Sequence, residues 1–451
     1  KARQENDLTA LYKLTGKDGK SGEIGQFRDD TTALLNRARG IGPQLDGTKW
    51  ADRNLKYDRA MKSWNFATKM GGMMLSSFPD IARLARVDGP LKGFETPLRY
   101  FADKSFRALS KSDAEGLWVT NDLILNTQAH GIAGIDSFET ALTGVEKGLS
   151  KFGNAQSLLS GMAHWSTYMK RFAAITIQNK MLRAIERVAR DGAKGKDIEN
   201  LAYSYIDNAM AKRIYDQYKK YGTQYGNRYL SNIKMWDDAE AANVFRYGVA
   251  KEVDVTIVRP GADKPLWMDH VGLGLIGQFK SFSVAAMQRM LLKGLQERDM
   301  NELSGLLIGV MAGYATYAGK QFLAGKEIKY DFGTILKEGI DRSGYMSWLF
   351  DVNNIVEKLT GQGLNTYLGT EMASRYQSRT GMEAAFGPTY GAILNLWNTT
   401  QAATKEDVDM TMRDINNIRG FVPLQNIPYL DPLFDAISNF AAEKIGIKQR
   451  N

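Results

Sequence analysis

Apolar residues recur every three or four positions along most of this chain, which is the spacing that places side chains on one face of an α-helix. The pattern predicts amphipathic helices over residues 31–39 and 61–87. Within the second segment, Pro79 lacks a backbone N–H and disfavours helical geometry at Phe78, so we expect a kink or a new helix start there. Residues 156–190 are the most regular stretch and predict a long helix. Its apolar face consists of Leu158, Met162, Trp165, Met169 and Phe172.

The longest uncharged apolar run covers residues 303–319, LSGLLIGVMAGYATYAG. Gly305, Gly309 and Gly313 are four residues apart, so they share a helical face and let a second helix approach closely. Seventeen helical residues extend about 26 Å, slightly less than the ~30 Å hydrocarbon core of a bilayer. Two interpretations follow: a buried core helix of a soluble helical protein, or a helix that enters or crosses a membrane.

The apolar run has a predicted partner upstream. Residues 271–295 also have a helical pattern, and the charged linker 296–302 joins the two segments. We therefore expect an antiparallel helical hairpin.

One segment departs from helical spacing. Residues 253–258 alternate β-branched side chains, and Pro260 and Pro265 follow closely, so we expect a strand or hairpin arm and then an irregular connector. From residue 387 onward, prolines separate short predicted helices: Pro388, Pro423, Pro428 and Pro432.

These patterns predict a mainly α protein, an elongated multi-helix assembly with a short β-like segment near residues 252–259. We divide the chain into four regions. They are an N-terminal amphipathic helical region at 1–150, long basic helices at 151–250, a connector plus apolar helical hairpin at 251–330, and a C-terminal helical region with proline-rich turns at 331–451.

Composition narrows the function classes. The chain has 451 residues, a net charge of +9 and no cysteine, which excludes disulfides, thiolate zinc sites and thiol nucleophiles. The positive charge favours anionic partners such as nucleic acid or a lipid surface. The first residue is Lys1 and the N-terminal stretch has no secretory signal pattern, so we expect a piece of a longer polypeptide.

Catalytic and cofactor motifs are absent from the sequence. His130, His164 and His270 stand in no standard metal-binding spacing. The glycines at 272, 274 and 277 match a dinucleotide fingerprint formally, but a proline-containing connector precedes them where the motif requires a strand. No phosphate-binding loop occurs either. The sequence therefore predicts no catalytic residue, no metal and no cofactor.

A stretch rich in lysine, arginine and tyrosine is the candidate nucleic-acid-binding site. Its residues are Lys212, Arg213, Tyr215, Tyr218, Lys219, Lys220, Tyr221 and Arg228. Tyrosine rings offer planes for bases and the cations neutralise phosphates. In the alternative interpretation, the tyrosines, continuing to Tyr225, form a helical stripe packed in a protein interface. Residues 170–190 are also strongly basic, which suits either phosphate contact or a solvated face.

Five blocks together give a resemblance to a known family. They are WNFATKMGGMMLSSFPD at 64–80, RPGADKPLWM at 259–268, QFKSFSVAAMQRM at 278–290, DRSGY at 341–345 and GFVPLQNIPY at 420–429. In order and spacing, across most of residues 60–430, the chain resembles the C-terminal part of the large internal virion proteins, or DNA-ejection proteins, of short-tailed bacteriophages.

The resemblance implies a protein stored inside the virion that travels out through the tail and reassembles in the host periplasm and inner membrane as a DNA conduit. Implied partners are further copies of the chain, other ejection proteins, the portal or tail, non-specifically bound double-stranded DNA and the host inner membrane. Many members carry a lytic transglycosylase domain, for which this chain has no motif, so that domain is expected outside it.

Two alternatives to the conduit interpretation stay open. The first is a structural core or portal-associated virion protein that meets no membrane. The second is an enzyme that processes the cell envelope or nucleic acid with an active site lacking any short motif.

Overall fold

The computed structural model describes residues 22–38, 49–117, 144–192, 195–257, 265–281, 284, 300–367, 381–404 and 410–447. These residues are mostly helical, with one short two-stranded sheet among them, which confirms the mainly α prediction. The first helices are α1 Glu23–Ala38, α2 Lys49–Lys69, α3 Met73–Ser76, α4 Ala82–Asp88, α5 Pro90–Ala102, α6 Lys104–Gly116, α7 Gly144–Leu159, α8 Met162–Asp191, α9 Lys196–Tyr203, α10 Asn208–Tyr221 and α11 Ala239–Thr256. The later helices are α12 Leu273–Gly277, α13 Met300–Leu323, α14 Phe332–Ser343, α15 Ser347–Thr360, α16 Leu364–Tyr367, α17 Gly381–Thr404, α18 Met412–Arg419 and α19 Asp431–Ile445.

Helix α8 is the centre of what we call the packed body, the described residues between 82 and 257. Most of its side chains are buried, because helices α4, α5, α6, α9, α10 and α11 pack around it. Phe172, Leu182 and Ile185 from α8 join Phe106 and Phe245 in one continuous apolar core. Burial over much of its circumference explains why apolar and small residues occur on so many faces of this helix.

A short antiparallel hairpin closes one side of the packed body. Its strands are β1 Thr223–Tyr225 and β2 Arg228–Leu230, and Thr223 pairs with Leu230. Gly226 takes a φ of +59°, which glycine adopts without a steric penalty. The amide of Tyr229 donates to Asn179 Oδ1 at 2.6 Å, so the hairpin is fixed to α8. Tyr225 therefore lies in a strand, and its predicted place on a helical stripe is wrong.

Helices α13 to α19, residues 300–447, are called the C-terminal helices. Helices α13 and α14 form an antiparallel hairpin, and α13 also packs on α4 of the packed body. Helix α17 kinks at Gly387, where φ is +79°. Proline-containing turns separate α18 from α19.

The C-terminal end of α2 joins the N-terminal and C-terminal parts of the chain. The amide of Leu424 donates to the carbonyl of Ala67 at 2.9 Å, and the amide of Gly71 donates to Asn426 Oδ1 at 3.1 Å. A Cβ on Gly71 would lie 2.1 Å from the Asn426 carbonyl oxygen, so only glycine fits. Helix α2 ends at Lys69, just before this contact. Its end therefore comes earlier in the chain than the interruption at Pro79 that the sequence predicts.

Three further sequence predictions are corrected by the fold. The strand predicted at 253–258 is wrong as far as Thr256, because α11 continues to that residue and buries Val253 on the same face as Phe245 and Val249. Residues 258–264 lie outside the described part. Four-residue spacing of apolar side chains, with a capped start at Asp238, outweighs the weak strand preference of a few β-branched residues.

The other two corrections concern helix length. The helix predicted at 156–190 is two helices, interrupted at Gly161 with a φ of +77°. The helix predicted at 271–295 is interrupted, since α12 stops at Gly277 and Phe279 has a φ of +67°, whereas Ser281 and Val284 are again helical. Most of the remaining residues up to 299 lie outside the described part.

Candidate functional site

Helix α10 carries most of the candidate nucleic-acid-binding residues. Asp207 caps its N-terminus, accepting a hydrogen bond from the amide of Met210 at 2.8 Å. Ala211 and Ile214 face the core, which turns Lys212 and Lys219 toward solvent. The helix therefore presents an exposed, lysine-bearing face and a buried, apolar one.

Arg213 is held by two acidic residues at the start of α11. Its guanidinium donates two hydrogen bonds to Asp238, at 2.8 and 2.7 Å, and lies 2.8 Å from Glu240. Asp238 also caps α11, since it accepts from the amide of Ala241 at 3.0 Å. These hydrogen bonds, that from Arg213 first, lower the pKa of Asp238 to about 2. The arginine is thus committed to joining α10 and α11.

A second carboxylate, Asp237, holds the end of α10 in the same way. It accepts from Lys220 Nζ at 2.5 Å, from the Tyr221 hydroxyl at 2.9 Å and from Gln217. The bond from Lys220 is the main reason that the pKa of Asp237 lies below its usual range, and it raises the pKa of Lys220. The Lys220 ammonium also lies 4.8 Å from the centre of the Tyr221 ring. Lys220 and Tyr221 therefore cannot contact a phosphate without first breaking their hydrogen bonds to Asp237.

Arg228 is wholly buried. Its Nη2 donates to the Lys92 carbonyl and lies 3.1 Å from Glu95 Oε2. Burial lowers the pKa of Arg228 from its ordinary value. The prediction that Arg228 contacts nucleic acid is therefore wrong, because a duplex cannot reach its guanidinium.

The tyrosines of α10 pack against protein. Tyr218 lies against Tyr229 of β2, with ring centres 5.3 Å apart, and burial raises the pKa of Tyr218. The Tyr215 hydroxyl donates to Glu186 at 3.4 Å, and Lys219 lies 5.7 Å from the Tyr215 ring centre. Ring faces that are packed in this way leave little area for stacked bases. Lys212 and Lys219 are the members of the predicted set that stay exposed and outside these acidic clamps.

Three arginines of the basic stretch 170–190 are also neutralised within the chain. Arg183 pairs with Asp88, Arg187 donates to Asp197 at 2.7 and 2.9 Å, and Arg190 lies 3.1 Å from Glu186. Lys170 is buried. The stretch therefore keeps an exposed face at Lys180, Arg187 and Arg190, and the two arginines of this face are paired with carboxylates. For Asp238, the partner of Arg213, the sequence does contain a signal. This residue directly precedes the apolar pattern of a helix, as N-cap residues do.

The three predicted packing glycines of α13 all lie on its inner face. A Cβ would come within 2.0 Å of Arg86 Cγ at Gly305, 2.3 Å of Tyr345 Cε2 at Gly309, and 2.2 Å of the Gly339 carbonyl oxygen at Gly313. The Tyr345 hydroxyl also donates to the Gly305 carbonyl at 3.0 Å. The helix that approaches α13 at Gly313 is α14, which follows it in the chain, whereas the sequence predicted the preceding segment.

Other predicted features have simpler outcomes. Within the described ranges, no helix is long and apolar enough to cross a membrane. The same residues contain no group of three or more histidine or acidic side chains placed to bind a metal ion. Gly274 lies inside the short helix α12 and packs against Lys62 and the Met268 carbonyl, unlike the glycine of a dinucleotide loop. No protein-family model, curated protein or solved structure matches this chain.

Proposed function

We propose that this chain is an assembly subunit of a phage DNA-ejection apparatus, which forms a conduit for the genome through the host cell envelope. The phage assignment comes from the five blocks that resemble internal virion proteins. The assignment as a subunit has separate support in the surface of the C-terminal helices.

The observation that carries the proposal is a set of exposed apolar stripes at helical spacing. They are Leu303, Leu307 and Met311 on α13; Leu349, Val352, Val356 and Leu359 on α15; Ile393, Leu396 and Trp397 on α17; and Leu433, Ile437 and Phe440 on α19. Soluble monomers rarely leave such faces open to water, and large exposed apolar faces mark interaction surfaces. Exposed apolar stripes on four helices of one region favour a chain whose apolar faces are covered by neighbouring subunits in an assembly.

Helix α13 makes the argument most directly. Its glycine face packs inward, on α4 at Gly305 and on α14 at Gly313, and its opposite face, with Leu307 and Met311, is exposed. An isolated globular protein normally has the reverse arrangement, with large apolar residues inside and polar residues outside. A second layer of protein or lipid over the outer face would complete this packing.

The DNA role rests on weaker and more general features. The net charge of +9 and the exposed Lys212 and Lys219 favour contact with phosphates that does not depend on base sequence. No energy source is needed in this role, since packaged DNA and other machines drive transport.

Sedimentation velocity and negative-stain microscopy of the purified chain at micromolar concentration test the proposal. We expect rings or tubes, either alone or after addition of duplex DNA or anionic vesicles. Changing Leu433, Ile437 and Phe440 together to serine should return the chain to monomers. The matched control changes Leu91 and Leu98, exposed apolar residues on α5 of the packed body, to serine and should leave assembly intact.

Two results would contradict the proposal. One is a monodisperse monomer under all these conditions. The other is equal loss of assembly in the α19 variant and the α5 control, because the exposed stripe would then have no special role.

The second candidate is a structural core or portal-associated virion protein that never meets a membrane. The internal packing of Gly313 on Gly339 favours this candidate, since the glycine face is filled by the chain's own helix. Flotation with anionic vesicles separates the two candidates. A conduit subunit should float with the vesicles, whereas a structural core protein should stay in the soluble fraction.

A further inference from the structure

Tyr205 has a backbone conformation that is unusual for its residue type. It follows α9 with a φ of +59°, in the position where helices commonly end on a left-handed glycine. The amide of Tyr205 donates to the Ala202 carbonyl and that of Ile206 to the Leu201 carbonyl, both at 2.9 Å, so the turn itself is regular. A bulky residue at positive φ is strained, and such strain often accompanies function.

The strained turn places Tyr205 in a cluster of exposed aromatic rings. Tyr205 and Tyr247 have ring centres 5.7 Å apart, and Tyr203 adds a third ring to the cluster. The exposed fractions are 54% for Tyr203, 69% for Tyr205 and 53% for Tyr247, so solvent reaches more than half of each side chain. We call these three residues the tyrosine platform.

Lys251 holds the platform together. Its Nζ donates to the Tyr203 carbonyl at 2.7 Å and lies 3.6 and 5.2 Å from the ring centres of Tyr203 and Tyr205. The lysine therefore caps the carboxyl end of α9 and attracts both rings. Capping accounts for the lysine, but it does not require a tyrosine at the left-handed position or three rings facing solvent.

Close packing of α11 on the end of α9 fixes the geometry. A Cβ on Gly248 would lie 3.0 Å from Ser204 Cβ and 2.9 Å from Met181 Cε, so the two helices meet with little spare room. Ser204 and Ile206, on either side of Tyr205, are buried. The exposed side chains of the platform are therefore held on a rigid support, the packed end of α9 against α11, as binding sites require.

Local charge selects the class of ligand. Segments 196–207 and 247–257, which carry the platform, contain five carboxylates and two lysines, and one of the five, Asp197, is bound by Arg187. Because acidic residues remain in excess in these segments, single-stranded nucleic acid is disfavoured despite the stacking rings. A neutral carbohydrate fits better, because the C–H face of a sugar packs on electron-rich ring faces and its hydroxyls bond to carboxylate and ammonium groups.

We infer that Tyr203, Tyr205 and Tyr247 form a binding platform for a neutral carbohydrate chain. The strain at Tyr205 is retained because it places a ring where a glycine would place none. Lys251 supplies both the support and further hydrogen-bond donors beside the rings.

The test measures binding of cellohexaose, chitohexaose and maltoheptaose to the full chain by saturation-transfer NMR and titration calorimetry. At least one should bind, and Tyr205→Gly should weaken it by roughly tenfold or more, as expected for loss of an aromatic contact. Tyr205→Phe keeps the ring and should keep binding. The control, Tyr330→Ala, removes an exposed tyrosine elsewhere and should change nothing.

The unfolding temperature gives a second readout. If Tyr205 had only a structural role, replacing it with glycine would lower the unfolding temperature. Because glycine suits the left-handed turn, Tyr205→Gly should raise the unfolding temperature by about 1–2 °C while binding falls. A lower unfolding temperature would contradict the strain argument, and Tyr247→Ala would then decide the binding role alone. Absence of binding at millimolar sugar, or binding unchanged in Tyr205→Gly and Tyr247→Ala, overturns the inference. Preferential binding of a thymidine oligonucleotide would assign the platform to nucleic acid instead.

Discussion

The packed body and the C-terminal helices are both built from amphipathic helices, yet they use their apolar faces differently. In the packed body, apolar faces from six helices meet around α8 in one continuous core. The described C-terminal helices bury seven apolar side chains, and three of these are alanine. They are Ala312, Tyr317, Tyr345, Ala392, Ile415, Ile427 and Ala442.

This difference shows what holds each region together. Large side chains in contact stabilise the packed body through removal of apolar area from water. The C-terminal helices depend more on close backbone approach, as at Gly313, and leave their larger residues outside. The first arrangement suffices for a folded unit, whereas the second leaves large apolar side chains exposed, which on our proposal are covered by further protein or lipid.

The sharpest test applies one substitution to both regions. Phe245→Ala in the packed body removes a wholly buried ring that lies 5.4 Å from Trp236, and should cost about 3–5 kcal/mol of unfolding free energy. Phe440→Ala removes a ring that is 61% exposed and should change monomer stability by about 0.5 kcal/mol or less, while weakening assembly. Urea unfolding followed by circular dichroism measures both effects. Equal losses would contradict the division into two regions.

Glycines of α13 give the next largest effect. Gly313→Ala places a Cβ against the Gly339 carbonyl, and backbone cannot give way as a flexible side chain does, so we expect a loss of about 1–3 kcal/mol. Gly319 lies in the same helix with open space around its missing Cβ. Gly319→Ala should therefore stabilise by about 0.5–1 kcal/mol. Opposite signs in thermal unfolding are expected; two losses of equal size would show that α13 does not pack as described.

Acid sensitivity should differ between the regions. The pKa of Asp238 is about 2 in the folded protein, below the ordinary value near 3.8, so its contribution to stability is present above pH ~4 and is lost as the pH falls toward 2. Asp331 caps α14 and also has a lowered pKa, caused mainly by Thr334, but it has no arginine clamp in the described structure. Unfolding temperatures between pH 5 and pH 2 should fall less in Asp238→Asn than in wild type. Asp331→Asn should show a smaller change of this kind, and a larger one would contradict the comparison.

The smallest effect concerns DNA contact. Lys212→Gln with Lys219→Gln should reduce the slope of log affinity against log salt for duplex DNA by about 2, because two exposed cations are lost. The control variant carries Lys326→Gln and Lys329→Gln, between α13 and α14. It should change the slope less if the packed body carries the DNA contact. An unchanged slope in the first variant would remove α10 from the DNA-binding surface.

Much of this architecture could be predicted from local sequence. Helical spacing, the break at Pro79 and the glycines of α13 each depend on residues within a few turns of one another, and local rules describe these well. The strand predicted at 253–258 failed because its β-branched residues also fit one face of α11, and local pattern alone does not separate the two. The prediction for Arg228 was wrong because its burial and its carboxylate partner, Glu95, depend on residues that are distant in sequence.

By itself the sequence determined that the chain is helical, positively charged and free of cysteine, and where its apolar faces lie. Tertiary structure alone decided which of those faces are covered. Leu182 and Leu307 both stand in regular apolar stripes, yet the first is buried at the centre of the packed body and the second is exposed on α13. Periodicity records only how side chains are arranged around one helix, whereas burial depends on which other helices the folded chain brings against it.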